Sequence, residues 1–105
     1  MGYKVVSTAA FRHDYASITS YLSNTLKSPA TAKKLVANIR NVSNTLSVAP
    51  FIHAISQKRL LAERQLRECH VCGYTLLYRV NDDHIEFVRL FHQSQQYNSA
   101  QYWED

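Results

Sequence analysis

The sequence predicts an α+β fold, with an N-terminal strand followed by an antiparallel helical hairpin packed on one face of a small antiparallel β-sheet. Three observations predict it. A short β-prone run opens the chain at residues 3–7, two apolar stripes with helical spacing follow between residues 11 and 46, and residues 73–92 alternate as a pair of strands. With 105 residues the chain has room for a single domain, residues 1–105, around one modest core.

The strand pair at residues 73–92 organises the rest of the chain. One face of its first strand is formed by Tyr74, Leu76, Tyr78 and Val80. Residues 81–83, Asn-Asp-Asp, predict a turn because these side chains bond their own backbone. Apolar residues also occupy the other face, so we expect the two strands to lie in the middle of a sheet.

The N-terminal elements are an opening strand at residues 3–7 and a first helix. The apolar residues of this helix recur at spacings of three and four, which is one face of a helix: Phe11, Tyr15, Ile18, Leu22 and Leu26. Ser7 or Thr8 is expected to cap the N-terminus of the helix.

A second helix is predicted to begin at Ser28-Pro29, because serine caps well and proline is tolerated at the first helical position. Its apolar stripe is Ala32, Leu35, Val36, Ile39, Val42 and Leu46. The short link between the helices predicts an antiparallel hairpin with its apolar seam toward the sheet. Lys33 and Lys34 lie outside the stripe, and we expect them on the solvated side.

The chain between the hairpin and the strand pair is expected to be a loop at residues 51–65 with one helical turn. Residues 65–71 predict a further strand, and Gly73 a tight link into the next one.

Residues 93–105 form a polar C-terminal tail that carries Tyr97, Tyr102 and Trp103. Aromatic side chains on such a tail either pack back on the domain or mark a partner surface. In this arrangement the sheet face opposite the helices is left free for binding.

The composition excludes several classes of protein. A net charge of +4 favours an acidic partner, either nucleic acid or an acidic protein segment, although so small an excess is also common on proteins that bind no polyanion. No apolar run approaches the ~20 residues of a membrane span. Residues 1–20 lack the basic start and apolar core of a signal peptide, so we expect a cytoplasmic protein without membrane association.

Cys69 and Cys72 form a Cys-His-Val-Cys motif. A zinc site needs a second ligand pair, and none follows at a suitable spacing. Residues three apart in a strand also point to opposite faces. We interpret both cysteines as reduced structural thiols and expect no metal and no cofactor.

Several motifs in their order along the chain carry a resemblance to a known family: Ser28-Pro29, Pro50, Leu66-Arg67, residues 73–80 (Gly-Tyr-Thr-Leu-Leu-Tyr-Arg-Val), residues 81–83 (Asn-Asp-Asp), residues 88–92 (Val-Arg-Leu-Phe-His) and Gln96-Tyr97. With these motifs the chain resembles the RelE/ParE superfamily of toxins from bacterial type II toxin–antitoxin modules, over nearly its whole length. The resemblance implies a growth-arresting toxin with no small-molecule substrate, neutralised by a cognate antitoxin protein that wraps it.

The resemblance implies two possible targets. RelE-like members cleave mRNA in the ribosomal A site, and this ribosome-dependent endoribonuclease activity is our first hypothesis. ParE-like members poison DNA gyrase without catalysis, and here this inhibition would act through the helical hairpin and the C-terminal tail. A third possibility is a non-toxic relic of the fold that only binds its antitoxin.

The ribonuclease hypothesis assigns roles to six residues. Such cleavage needs an acid and a base around the attacking 2′-hydroxyl, and cations on the phosphate. By resemblance, His92 is the proton-transfer residue and Tyr97 a second catalytic side chain. The residues expected to hold phosphates or RNA are Lys58, Arg59, Arg67 and Arg89.

Two positions depart from the ribonuclease pattern. Thr75 replaces an arginine of the RelE-like and YoeB-like enzymes, and a neutral hydroxyl cannot neutralise a phosphate as a guanidinium does. Gln93 stands where YoeB-like members have a tyrosine. These departures move weight toward the gyrase alternative and motivate the relic, while the ribonuclease stays our first hypothesis.

Overall fold

The computed structural model describes residues 2–103, in which helices pack on a four-stranded sheet. The elements in chain order are β1 (Lys4–Ser7), α1 (Ala9–Ser20), α2 (Pro29–Val48), α3 (Arg59–Ala62), β2 (Arg67–Val71), β3 (Tyr74–Val80) and β4 (His84–His92). A π-helical turn, Tyr21–Thr25, extends α1, and a 3₁₀ turn, Ala100–Tyr102, lies in the tail. The predicted α+β fold class is confirmed, including the helical hairpin and the single turn of helix between residues 51 and 65.

The sheet has the order β1-β4-β3-β2, which places β3 and β4 at its centre as predicted. β2 and β3 are antiparallel, as are β3 and β4. β1 instead runs parallel to β4, so the sheet is mixed and not wholly antiparallel as expected. A parallel pair needs a long connection, and the whole helical hairpin with β2 and β3 lies between these two strands.

Two backbone irregularities shape the central strands. Cys72 and Gly73 have φ of 51° and 82° and form the predicted tight link between β2 and β3. Tyr78 of β3 pairs with Phe87 of β4, but the preceding Leu77 pairs with Arg89. Val88 is therefore the extra residue of a β-bulge in β4. Because of this bulge, the side chains that follow Val88 alternate with the opposite phase.

The helix-side face of the sheet carries the larger core. Thr8 caps α1 as predicted, because its Oγ1 accepts a hydrogen bond from the N–H of Phe11 (3.0 Å). The buried residues of the hairpin are Phe11, Leu22, Ala32, Leu35, Ile39 and Leu46. Leu26, predicted in the same stripe, is 53% exposed because α1 has already passed into its terminal π turn.

The opposite face of the sheet is also covered, and the expectation that it is free for binding was wrong. α3 and the C-terminal tail pack on it and form a second core of Leu61, Leu66, Leu77, Val88, Phe91 and Tyr97. Tyr102 and Trp103 border this core. Of the two readings of the tail aromatics, the structure supports packing back on the domain. This face is closed because Leu77, Val88 and Phe91 place apolar side chains on it, and covering them removes apolar surface from water.

An ion pair joins the first helix to the last strand. The Nε–H and Nη2–H of Arg89 donate to the two carboxylate oxygens of Asp14 (2.7 and 3.0 Å), and Asp14 also accepts the backbone N–H of Leu90 (3.0 Å). Arg89 thus finds its carboxylate partner on α1 and not on the neighbouring strands. A second ion pair joins Arg79 of β3 to Glu86 of β4, with an N–O distance of 2.9 Å.

Among the helices of residues 2–103, none combines the length and the apolar character needed to cross a membrane.

We expect Asp14→Ala to lower the free energy of unfolding by about 2–3 kcal/mol, because Arg89 and the N–H of Leu90 would lose their shared acceptor in a mostly buried place. Urea unfolding followed by circular dichroism measures this loss. Asp14→Asn is the matched control, because it keeps an acceptor oxygen and should lose less. Equal stability of the alanine variant and the wild type would contradict a structural role for the pair.

Candidate functional site

His92, the predicted proton-transfer residue, is exposed at the end of β4. Its ring meets Tyr74 edge to face, with centroids 5.4 Å apart. Its Nδ1 accepts the N–H of Ser94 at 3.2 Å and lies 2.7 Å from the Ser94 hydroxyl. Tyr74 belongs to the helix-side core, so His92 stands on that side of the sheet.

A shallow cleft of about 240 Å³ contains His92 on the helix side. Its lining is Ser17, Ile18, Tyr21, Tyr74, His92 and Gln95. Desolvation, with a smaller contribution from the neighbouring Tyr21, raises the pKa of Tyr74 above its ordinary value. The lining of this cleft contains no lysine or arginine to hold a phosphate.

Tyr97, the second predicted catalytic residue, is buried on the opposite face of the sheet. Its ring stacks on Phe91, with centroids 5.6 Å apart. Its hydroxyl donates to Oε1 of Glu68 at 2.9 Å. Phe91 and His92 are consecutive residues of one strand, so their side chains point to opposite faces. The structure therefore does not bring His92 and Tyr97 into one site.

Glu68 is the centre of a polar cluster on the tail side. Its carboxylate accepts hydrogen bonds from Ser56 Oγ (2.6 Å), Lys58 Nζ (3.0 and 3.1 Å) and Tyr97. Desolvation opposes ionisation of the carboxyl, but hydrogen bonds from Ser56, Lys58 and Tyr97 outweigh it and lower the pKa of Glu68. The cluster fastens the tail and the loop before α3 to β2.

Of the four predicted phosphate-binding residues, only Lys58 lies beside Tyr97, with its Nζ 5.2 Å from the ring centroid. This ammonium group is already paired with Glu68. Desolvation lowers the pKa of Lys58, but the hydrogen bond and charge of Glu68 outweigh it, so the net pKa is raised.

The other three predicted phosphate-binding residues make separate contacts. Arg67 donates to the carbonyl of His53 (2.6 Å) and lies over the ring of Phe51, while Arg89 is held by Asp14. Arg59 forms an exposed pair with Glu63. The structure does not gather these guanidinium groups around one phosphate-sized space.

Thr75, at the position of the missing arginine, is fully buried, with 0% of its surface exposed. Its hydroxyl lies 3.1 Å from Nδ1 of His70. It pairs across the sheet with Phe91, under the second core. A side chain at this position faces the interior of the protein.

The family model of the ParE toxin of type II toxin–antitoxin systems (parDE) matches residues 5–97. The chain belongs to this family. The sequence motifs predicted a member of the RelE/ParE superfamily, and this prediction is confirmed.

A solved structure supports the same fold for this ParE-family chain. The chromosomal ParDE toxin–antitoxin system of P. aeruginosa aligns with a TM-score of 0.64, covering 86% of this chain and 95% of that one. The identity is 18%, so this likeness concerns the fold alone. No curated protein matches the sequence significantly.

The sequence reasoning missed two acidic residues that hold the ParE-family fold together, Asp14 and Glu68. Neither carries a local signal. Asp14 is one polar residue of an amphipathic helix, and Glu68 is one residue of an edge strand. Their partners, Arg89 and Lys58, are among the predicted phosphate-binding residues, and the structure gives each an internal carboxylate instead.

The thiols of this ParE-family chain are both free, Cys69 buried and Cys72 exposed. Desolvation raises the pKa of Cys69. Asn38 Nδ2 lies 2.9 Å from Sγ of Cys72 and links α2 to the turn between β2 and β3. Within residues 2–103 no three His, Cys, Asp or Glu side chains come together as a metal site requires.

We expect Thr75→Arg, which restores the arginine of the ribonuclease pattern, to unfold the protein and not to create activity. A guanidinium in a fully buried position costs more than about 4 kcal/mol of stability. Thermal unfolding and soluble yield measure the effect, and Thr75→Ser is the control that should fold. A folded Thr75→Arg protein with new RNA cleavage would contradict the buried placement.

We expect the stability advantage of the wild type over Glu68→Gln to depend on pH. A lowered pKa in the folded state means that the ionised carboxylate stabilises the fold above its ordinary pKa of 4.5, and that this contribution is lost as the pH falls through the folded value. Urea unfolding between about pH 7 and pH 3 should show the gap narrowing at the acid end. Glu63→Gln, in an exposed pair, should show a small gap throughout.

Proposed function

We propose that this ParE-family toxin arrests growth by binding DNA gyrase, without catalysis, and that a cognate antitoxin neutralises it. One observation carries the choice of a non-enzymatic mechanism. The sheet face expected to hold the ribonuclease groups is closed by the protein's own core, with Thr75 and Tyr97 buried in it.

The fate of the predicted cations supports the same proposal. Phosphoryl transfer needs cations that are aimed at the charge developing in the transition state. Lys58 and Arg89 are instead committed to Glu68 and Asp14. The ribonuclease roles of His92 and Tyr97 remain predictions, and their placement on opposite faces of the sheet does not favour them.

An exposed apolar patch offers a surface for a protein partner. It lies at the C-terminal end of α2 and in the following loop, and consists of Val48, Phe51, Ile52 and Ile55. Val48 is 82% and Ile52 60% exposed. Apolar side chains clustered in this way mark protein–protein contacts more often than catalytic sites. We propose that this patch, at the end of the helical hairpin, contacts gyrase.

We expect the purified protein to stop gyrase from supercoiling a relaxed plasmid, and to leave a message intact on translating ribosomes. His92→Ala should inhibit gyrase as strongly as the wild type, because the proposal gives His92 no chemical role. Mapping of new 5′ ends on the message provides the second readout. Cuts at A-site codons that disappear in His92→Ala, with normal supercoiling, would reject the proposal in favour of the ribonuclease.

The contact patch is tested in the same supercoiling assay. Val48→Ser/Ile52→Ser should require at least about tenfold more protein for half inhibition, the loss expected when apolar anchors leave an interface. Leu26→Ser removes a leucine that is 53% exposed at the other end of the hairpin and should behave as the wild type. If Val48→Ser/Ile52→Ser inhibits gyrase as strongly as Leu26→Ser and the wild type, the gyrase contact lies elsewhere.

A further inference from the structure

Charge is divided unevenly along this chain. Residues 1–62 contain eight of the twelve basic residues but one of the eight acidic residues, Asp14. Asp14 is mostly buried and paired with Arg89. The helical hairpin, residues 9–48, therefore presents positive charges and no exposed carboxylate to the solvent. Such asymmetry between two parts of a chain points to a polyanionic ligand.

The exposed cations of the hairpin are Arg12, Lys27, Lys33, Lys34 and Arg40. Within residues 2–103 none of them forms a salt bridge with a carboxylate. They contrast with Lys58, Arg59, Arg79 and Arg89, each of which does. We call these five residues the cationic face.

Two adjoining grooves connect part of the cationic face. Lys33 and Arg40 lie seven residues apart on α2, which is about two turns and so the same side of the helix. Both line a groove of about 440 Å³ between the helices, with the small Ala37 between them. A second groove of about 330 Å³ shares Arg40 and reaches Ser7, whose carbonyl accepts Nη1 of Arg12 (2.6 Å).

On α2 itself, the side chains around Lys33, Lys34 and Arg40 suit a phosphate backbone better than a membrane or a protein partner. Residues 29–47 of α2 include no exposed large apolar side chain. A protein interface needs such anchors, and so does insertion into a lipid surface. The exposed or half-exposed polar groups here are short hydroxyls and amides, which hydrogen-bond to phosphate oxygens: Thr19, Ser23, Thr31, Asn41, Ser43 and Asn44.

We propose that the cationic face is a binding site for the phosphate backbone of duplex DNA, without sequence preference. The site goes beyond the apolar patch proposed for gyrase, and only the choice of duplex DNA among polyanions rests on the proposed function. A toxin bound to an enzyme that holds DNA can touch both, with the end of α2 on the protein and the middle of α2 on the nucleic acid.

The test measures binding of the purified full-length toxin to a fluorescein-labelled 30-base-pair duplex by anisotropy, in the absence of gyrase, from about 50 to 200 mM salt. We expect saturable binding, with a logarithm of the association constant that falls linearly with the logarithm of the salt concentration. Lys33→Gln/Arg40→Gln should reduce the magnitude of the slope by about 2 and weaken binding about tenfold at the lowest salt. The variant should keep the stability of the wild type.

The matched control is Lys4→Gln/Gln57→Glu, which lowers the net charge by the same two units at exposed positions outside the hairpin. It should bind the duplex as the wild type does. Equal weakening in both variants would show a general charge effect and overturn the site. Tighter binding of the wild type to duplex RNA, to polyglutamate or to anionic lipid vesicles than to duplex DNA would overturn the assignment of the ligand.

The supercoiling assay separates this inference from the proposed function. Gyrase inhibition by a protein that does not bind free DNA overturns the inference alone. DNA binding that is lost in Lys33→Gln/Arg40→Gln, by a protein that leaves gyrase unaffected, supports the cationic face and overturns the proposed target.

Discussion

The structure depends on a central pair of strands that must be shielded from water on both faces. β3 and β4 carry Leu76, Tyr78 and Leu90 on one side and Leu77 and Phe91 on the other, so a single covering layer is not enough. The helical hairpin covers the first side. The second side is covered by one turn of helix and by a tail whose aromatic rings pack on it. Asp14 and Glu68 then fasten these two covers to the sheet through charged hydrogen bonds.

Periodicity predicted the helices and the strand hairpin because apolar spacing is a local property. It correctly placed the start of α2 at Pro29, the buried Leu35, Ile39 and Leu46, and the central position of β3 and β4. It could not predict the parallel pairing of β1 or the docking of the tail, because both depend on contacts between distant residues. The candidate site was the least predictable part for the same reason. A lone histidine, tyrosine or arginine has no local mark that separates a bond inside the protein from a bond to a ligand.

The distribution of charge sorts the cations of this ParE-family toxin into two groups. Lys58, Arg79 and Arg89 lie against the sheet, pair with Glu68, Glu86 and Asp14, and stabilise the fold. Those on the hairpin face the solvent. The apolar patch after α2 and the cationic face of the hairpin are therefore two surfaces of different chemistry. The groups that would be needed for cleavage of RNA are divided between two faces of the sheet.

The parallel pairing of β1 with β4 also bears on how the chain becomes native during its synthesis. Lys4 lies opposite His84, a separation of 80 residues, while the other strand pairs join near neighbours in sequence. Closing so long a loop is slow compared with forming local hairpins, and it cannot begin before the partner strand exists. Because Phe87 and Leu90 of that partner also complete the core beneath α1 and α2, the nascent hairpin has little to pack against. The toxin thus acquires its fold late, when most of its sequence has already been translated.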